Sequence, residues 1–193
     1  CRADQINMAA TDERELQLKI DRYGDMLFKL SYLRLQNVQD AEDVVQEVFY
    51  QYIKSPRVFQ SEEHEKAWLL KVAMNACRKV WRSAWRQRRS DWNPESREAG
   101  EELCSQALYA GSGESVSGPE ETAVQREERR RLMNLVMDLP VKYRDVIHLF
   151  YYEELSVKEI AQITNRAEST VTSQLARGRK LLGKVLKEEY NFG

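Results

Sequence analysis

The chain has 193 residues and a formal net charge of −1, with 42% hydrophobic and 32% charged residues but only eight glycines and four prolines. That length holds one large domain or two small ones. The composition reads as a soluble, mostly helical protein and excludes a uniformly basic nucleic-acid coat, so any contact with nucleic acid must come from local patches. Three cysteines, Cys1, Cys77 and Cys104, form no CxxC pair. They argue against a disulfide framework or a cysteine-rich zinc site and fit a reducing cytoplasm. The apolar runs, such as Trp68-Leu69-Leu70, are too short to span a bilayer, and no secretory signal is visible, so no membrane insertion is expected. Cys1 is not an initiator methionine, which leaves Met8 as an alternative start and the origin of residues 1–7 open.

In chain order, Leu16, Ile20, Tyr23, Leu27, Leu30 and Leu33 or Leu35 recur at helical spacing. Asn37 to Gln39 break that helix, and Asp40 is expected to cap the next. Ala41, Val44, Val45, Val48, Phe49, Tyr52 and Ile53 give the second helix a wide apolar stripe, and Ser55-Pro56 stops it. Outside that stripe, Asp43, Gln46, Glu47 and Tyr50 lie three and four residues apart and share one face. That face either docks a basic partner helix or is simply solvated, and spacing alone favours the second.

A loop is expected from about Arg57 to His64, then a third helix from about Glu65 to Arg88 that buries Leu69, Val72, Ala73, Ala76, Cys77 and Val80. Opposite that core stand Lys71, Asn75, Arg78, Lys79, Arg82 and Arg86, extended by Arg88 and Arg89 and interleaved with Trp68, Trp81 and Trp85. Cations attract phosphates, aromatics stack on unpaired bases, and an asparagine reads an adenine edge. The alternative is a solvated basic helix whose tryptophans are core; the basic run favours nucleic acid.

Residues from about 91 to 122 lack helical periodicity and read as a flexible acidic linker around Asn93-Pro94-Glu95-Ser96 and Gly111-Ser112-Gly113. Leu103, Cys104, Leu108 and Tyr109 form an apolar island within it. Helical pattern resumes near Glu121, with Val124, Leu132, Leu135, Val136 and Leu139 on one apolar face. Pro140 is expected to open a further helix at its first turn, carrying Val141, Val146, Ile147, Phe150 and Tyr151.

The last part of the chain holds the most specific signal. Ser156 and Glu159 form a capping-box pattern, Ile160 and Ile163 are apolar, and Ala161 is small where a second helix must cross. Asn165 is suited to a left-handed helix end. A second helix restarts at Glu168-Ser169-Thr170 and buries Val171, Leu175 and Leu182. Two short helices joined by a tight turn place the start of the second in the DNA major groove. The candidate DNA contacts are Arg166, Ser169, Thr170, Thr172, Ser173, Ala176, Arg177, Arg179 and Lys180. The later Lys and Arg residues are suited to phosphate contact, which positions without specifying. Gly178 falls inside this helix and should cost ~1 kcal/mol relative to alanine. His64 and His148 are isolated, and His148 reads as structural. No catalytic constellation, phosphate loop or metal cluster appears, so no enzyme activity, cofactor, metal or small-molecule substrate is expected.

The order of these pieces resembles the extracytoplasmic-function (ECF) group of bacterial RNA polymerase sigma factors. The segment Asp40-Ala41-Glu42-Asp43-Val44-Val45-Gln46-Glu47-Val48-Phe49 is similar to the family's polymerase-binding helix. Trp68-Leu69-Leu70-Lys71-Val72-Ala73-Met74-Asn75 is similar to its promoter-melting segment. Leu139 through Tyr152, with Ser156 to Arg179, is similar to its reader of the upstream promoter element. The resemblance implies an all-α protein of two small helical domains joined by a flexible acidic linker. Residues 12–90 would be a sigma-two-like domain, 91–121 the linker, and 122–190 a sigma-four-like four-helix domain containing the helix-turn-helix.

It also implies roles. Asp43, Gln46, Glu47 and Tyr50 would bind core polymerase, reversing what spacing alone favours. The loop from about Val58 to Lys66 would capture a flipped base of the downstream (minus-ten) element, and Lys71, Asn75, Arg78, Lys79 and Arg82 would lie along that element. The second helix of the helix-turn-helix would read the upstream (minus-thirty-five) element. There the family often has basic residues in place of Thr172 and Gln174 and a bulky one in place of Ala176. Core RNA polymerase and promoter DNA are the implied partners, with an anti-sigma protein as the implied regulator. The alternatives are a stand-alone helix-turn-helix regulator, which leaves the acidic second helix and the Trp-rich basic helix unexplained, and a helical interaction protein that does not bind DNA.

Overall fold

The structure is a computed structural model that describes residues 2–54, 57–87 and 123–190, and of these the side chains of 13–54, 57–82 and 131–187. The expected linker and its apolar island lie outside the described residues, as do the side chains of Trp85, Arg86, Arg88 and Arg89. Among the described residues all regular structure is helical: α1 (Arg2–Leu35), α2 (Val38–Lys54), α3 (Glu62–Gln87), α4 (Ala123–Asp138), α5 (Val141–Tyr151), α6 (Val157–Thr164) and α7 (Glu168–Tyr190).

Helices α1, α2 and α3 pack on one another around Tyr23, Leu27, Leu30, Val44, Val48, Leu69, Leu70 and Met74, all buried. Gln36 ends α1 in the left-handed region at φ 52, and its N–H bonds to the Tyr32 carbonyl at 2.8 Å. The cap of α2 differs from expectation. The Asn37 side-chain oxygen accepts the Asp40 N–H at 2.9 Å, so Asn37 caps the helix. Asp40 sits one turn inside, where its charge meets the positive helix end. Helix α3 also begins earlier than its apolar spacing predicts, because the Ser61 hydroxyl accepts the His64 N–H at 3.2 Å and acidic Glu62, Glu63 and Glu65 fill the first turn.

One buried carboxylate joins all three helices. Glu65 of α3 accepts from Lys19 Nζ of α1 at 2.7 Å, from the Tyr23 hydroxyl of α1 at 3.1 Å and from the Tyr52 hydroxyl of α2 at 2.6 Å. Burial pushes Glu65 toward its neutral form, but the bonds from Lys19, Tyr52 and Tyr23 outweigh it and hold the carboxyl below its ordinary value. Tyr23 is correspondingly pushed up to about 12, by burial first and its bond to Glu65 second.

In the second half, α5, α6 and α7 enclose Val146, Ile147, Leu149, Ile160, Ile163, Val171 and Leu175, with α4 against α5 and α7. The core face here keeps the expected Val136 and Leu139 but takes in Met133 and Met137 and leaves Leu132 exposed. The two methionines fill the core where a leucine spacing was expected. Pro140 precedes α5 at the cap position (φ −52, ψ 137) rather than within its first turn. Gly178 is buried, and a Cβ added there would come within 3.0 Å of Ile147 Cγ1. The glycine thus permits the close crossing of α7 over α5 that offsets its helix penalty.

The two halves pack together, with α5 against α1 and α6 against α3. Arg34 Nη1 of α1 bonds to Asp145 Oδ2 of α5 at 2.5 Å, with the side chains 10% and 2% exposed. Gln36 Nε2 donates to the Met137 carbonyl at 3.0 Å. Buried Arg144 of α5 donates to the Leu33 carbonyl and, at 2.8 Å, to the Leu139 carbonyl. Lys66 of α3 pairs with Glu153, which follows α5, at 2.9 Å. His148 lies in the core, stacked on Tyr152, with Nε2 3.4 Å from Glu153.

Two outcomes follow from these buried carboxylates. Glu65→Ala should destabilise the chain by about 2–4 kcal/mol in denaturant unfolding, because it strands the Lys19 ammonium and two hydroxyls. Glu153 is held at about 2 against an ordinary 4.5: burial raises it, but the bond and charge of His148 and the charge of Lys66 outweigh burial. Its depressed value means its stabilisation is complete above 4.5 and is lost as pH falls toward 2. The stability gap between the wild-type chain and Glu153→Gln should therefore narrow as pH falls through that range, as thermal unfolding across pH would show.

Candidate polymerase and nucleic-acid interfaces

On α2 the apolar stripe of Ala41, Val44, Val48 and Phe49 is buried, which turns the opposite face outward. Asp43, Gln46 and Tyr50 are exposed and Glu47 is half-buried. Asp43 Oδ1 accepts from Gln39 Nε2 at 3.2 Å and Glu47 Oε1 from Gln51 Nε2 at 2.8 Å, so neighbouring amides orient both carboxylates without neutralising them. Tyr50 is 55% exposed, with Lys54 Nζ 5.6 Å from its ring centre. The face offers two negative charges and an aromatic edge to a cationic partner.

On α3, Lys71, Asn75, Lys79 and Arg82 are exposed and share a helix face. Arg78 departs from this pattern. Its guanidinium donates to Asn75 Oδ1 at 2.9 Å and to the Thr164 carbonyl at the end of α6. Burial, followed by the nearby charges of Arg34, Arg166 and Arg82, disfavours its charged form despite Asp145. Trp68 and Trp81 divide: Trp81 is 47% exposed, whereas Trp68 packs against Phe59 (ring centres 5.7 Å apart) and Tyr52 (6.1 Å). Phe59 also stacks on Tyr52 and meets His64 edge-on. This aromatic group supports the stretch before α3, whose Val58 is 96% exposed.

The helix-turn-helix has the local geometry expected of it. Ser156 Oγ accepts the Glu159 N–H at 3.3 Å, and Glu159 Oε2 accepts the Ser156 N–H at 2.8 Å, completing the capping box. The Ser156 hydroxyl also donates to Glu159 Oε2 at 2.6 Å, and this bond, followed by that from the Ser156 N–H, holds the Glu159 carboxyl below its ordinary value. Asn165 turns left-handed at φ 54 and ψ 49. At the start of α7, Ser169, Thr170, Thr172, Ser173 and Ala176 are exposed. The Thr172 and Ser173 hydroxyls donate to the carbonyls of Glu168 and Ser169 at 2.9 and 2.8 Å, which leaves their oxygens as acceptors.

Arg177, Arg179 and Lys180 are exposed farther along α7. Arg179 lies over Phe150 and Tyr151, 5.4 and 5.5 Å from their ring centres, so α5 orients its guanidinium. A cleft beside α7 is lined by Lys142, Tyr143, Ser169, Thr170, Ser173, Gln174 and Arg177. Lys142 and Tyr143 are absent from the sequence-derived set; a lysine just behind Pro140 is the signal that was available. Arg166 is placed differently from the other candidates. It bonds to Asp145 at 2.9 Å, to Gln174 Oε1 at 3.1 Å and to the Lys142 carbonyl at 3.3 Å, which braces the turn from inside.

Among the described residues, no helix is long and apolar enough to cross a membrane, and no group of His, Cys, Asp and Glu could hold a metal ion. Cys77 is buried, which pushes its thiol up to about 11.

The family pattern of Sigma-70 region 2 matches residues 20–87, and that of Sigma-70 region 4 matches residues 129–182. The first match lies on α1 to α3, which a stand-alone helix-turn-helix regulator leaves unexplained. The chain is 31% identical over 169 residues to the ECF RNA polymerase sigma factor SigW of Bacillus subtilis, covering 88% of this chain and 87% of that protein. It is 25% identical over 171 residues to the ECF RNA polymerase sigma-E factor of Escherichia coli, covering 89% and 86%. Among solved structures, the fold is similar to the sigma factor RpoE of Bartonella quintana in complex with the anti-sigma factor NepR. The TM-score there is 0.54 at 19% identity, covering 92% of this chain and 97% of that one. The chain belongs to the extracytoplasmic-function group of bacterial RNA polymerase sigma factors.

Proposed function

We propose that this sigma factor divides transcription initiation among three of its surfaces. Polymerase supplies the chemistry, and the sigma chain, with none of its own, supplies the promoter address and strand opening. The exposed face of Asp43, Gln46, Glu47 and Tyr50 binds core polymerase through a basic helical surface. The stretch around Val58 and Phe59 receives a base flipped from the downstream element, while Lys71, Asn75, Arg78, Lys79 and Arg82 follow its backbone and edges. Melting is favoured because a flipped base finds contacts that a paired base does not reach, offsetting an unstacking cost of a few kcal/mol. The start of α7 enters the major groove of the upstream element. There Ser169, Thr170, Thr172, Ser173 and Ala176 face bases, and Arg177, Arg179 and Lys180 face phosphates. Arg166 serves this surface by bracing the turn.

The observation that carries this reading is the pairing of two exposed basic helix faces, on α3 and α7, with one exposed acidic face on α2. Charge of opposite sign on separate helices fits a chain that grips a protein with one surface and DNA with the others. The expected domains, 12–90 and 122–190, with 91–121 as connector, are the units that carry these surfaces. A chain that acts together with core polymerase functions in the cytoplasm, where polymerase is. Its regulator in this reading is an anti-sigma protein, as the similar sigma factor bound to NepR illustrates. Purification of the tagged chain from its host under non-inducing conditions should recover such a protein, and recovery of polymerase subunits alone would count against it.

The reading is tested by run-off transcription with bacterial core polymerase on fragmented host DNA. Addition of the chain should create new start sites preceded by a shared two-part motif. Absence of new starts, with duplex DNA still bound by the chain alone, would contradict it. Asp43→Arg with Glu47→Arg should abolish those starts and polymerase binding while leaving the helical circular dichroism unchanged, since neither side chain belongs to the buried stripe. Retained polymerase affinity would remove α2 from the interface.

A further inference from the structure

The cleft beside the start of α7 contains an amide whose orientation the fold sets. Half-buried Gln174 lines that cleft with Ser169, Thr170, Ser173 and Arg177. Thr170 stands four residues before it and Arg177 three after, so the three side chains share one helix face. Gln174 Oε1 accepts from Arg166 Nη1 at 3.1 Å. A guanidinium only donates, so the amide must turn its oxygen toward Arg166 and its nitrogen away. An unrestrained glutamine offers either end to a partner. This one offers Nε2.

Arg166 is itself fixed. Its Nη2 donates to Asp145 Oδ2 at 2.9 Å, and its Nη1 donates also to the Lys142 carbonyl at 3.3 Å. The Asp145 side chain is 2% exposed and that of Arg166 19%, so salt screens the pair little. Both acceptors belong to α5, and one guanidinium therefore ties α5 to the amide of α7. The bonds run in one sense, from the Asp145 acceptor through the Arg166 donor to the Gln174 acceptor, and end in an outward donor. Flipping the amide would set its N–H groups against those of Arg166 and lose the bond.

Base edges in the major groove differ in what they accept. Guanine presents two adjacent acceptors, O6 and N7; adenine sets an amine donor beside N7; cytosine presents an amine donor. Glutamine ordinarily pairs with adenine by using its oxygen and its nitrogen together. With its oxygen committed to Arg166, Gln174 has two N–H groups to give, which is the complement of guanine. We propose that Gln174 is a specificity-determining residue, with Arg166 and Asp145 as its positioning residues: the amide, held nitrogen outward, selects guanine at one position of the upstream element. The inference rests on the reading of α7 as the reader of that element.

The test uses the full-length chain with core polymerase. A promoter recovered by the run-off assay above is prepared with its upstream element randomised, and sequenced transcripts report the base preference at each position. The wild-type chain should favour guanine at one position by roughly tenfold over adenine. Gln174→Ala should abolish that preference and leave those at other positions in place. Arg166→Met frees Oε1 and leaves Asp145 paired with Arg34, so the same position should shift toward adenine. Gln174→Glu reaches the same point without touching Arg166: it keeps an acceptor for the guanidinium but has no donor to give, and guanine should lose its advantage to cytosine. Thermal unfolding by circular dichroism checks that each variant is folded. Preferences unchanged in folded Gln174→Ala and Gln174→Glu would overturn the role of Gln174. Guanine preference lost in Gln174→Ala but kept in folded Arg166→Met would overturn the positioning by Arg166. A wild-type chain that shows no preference anywhere in the upstream element would instead overturn the reading of α7, and this inference with it.

Discussion

A single buried carboxylate, Asp145, is the constraint on which most of the second half and its placement depend. It receives one guanidinium from the turn of the helix-turn-helix and another from the end of α1. Removing one partner of a buried pair typically costs about 3–5 kcal/mol, because the other charge is left uncompensated. The two guanidinium bonds of Asp145 therefore do different work. The bond to Arg166 helps hold the angle at which α7 leaves the turn, and so the surface the domain presents. The bond to Arg34 positions that surface relative to α3.

Glu65 plays the corresponding part in the first half. Its bonds to Lys19, Tyr23 and Tyr52 draw all three helices together beneath the stretch that carries Val58 and Phe59. The aromatic group of Tyr52, Phe59 and Trp68 rests on that network, and Tyr52 belongs to both. The surface proposed to receive a flipped base thus stands on a charged hydrogen-bond cluster with fixed directions rather than on apolar packing alone. Apolar contacts supply most of the burial in either half, but they are non-directional, and these polar clusters choose among otherwise similar packings.

Local features were legible in the sequence because their causes are local. The Ser156–Glu159 box and the left-handed Asn165 lie within one turn of the helix ends they define, and the stripe of Ala41, Val44 and Val48 declares itself by its period. Cap choice was harder: Asn37 and Asp40 are both competent caps, and only the backbone shows which side chain receives the N–H. The exposure of Leu132 turned on methionines filling the core of α4. The seam between the two halves was out of reach, since Arg34 and Asp145 are separated by 111 positions and nothing in their spacing pairs them. For the same reason Arg78 and Arg166 looked like free cations, when Arg78 is bound across the seam to the Thr164 carbonyl and Arg166 within its own half to Asp145, Gln174 and the Lys142 carbonyl. Family resemblance proposes a partner for the acidic face of α2, which periodicity alone reads as solvated.

The placement of the two halves turns on their packing through this seam in the free chain. Paired spin labels at Leu18→Cys on α1 and Val185→Cys on α7, with Cys1 and Cys104 replaced by serine, measure their separation by pulsed electron resonance. Both labelled positions are exposed, and native Cys77 is buried. One narrow distance population is predicted in the free chain. A broad distribution would contradict the packed seam.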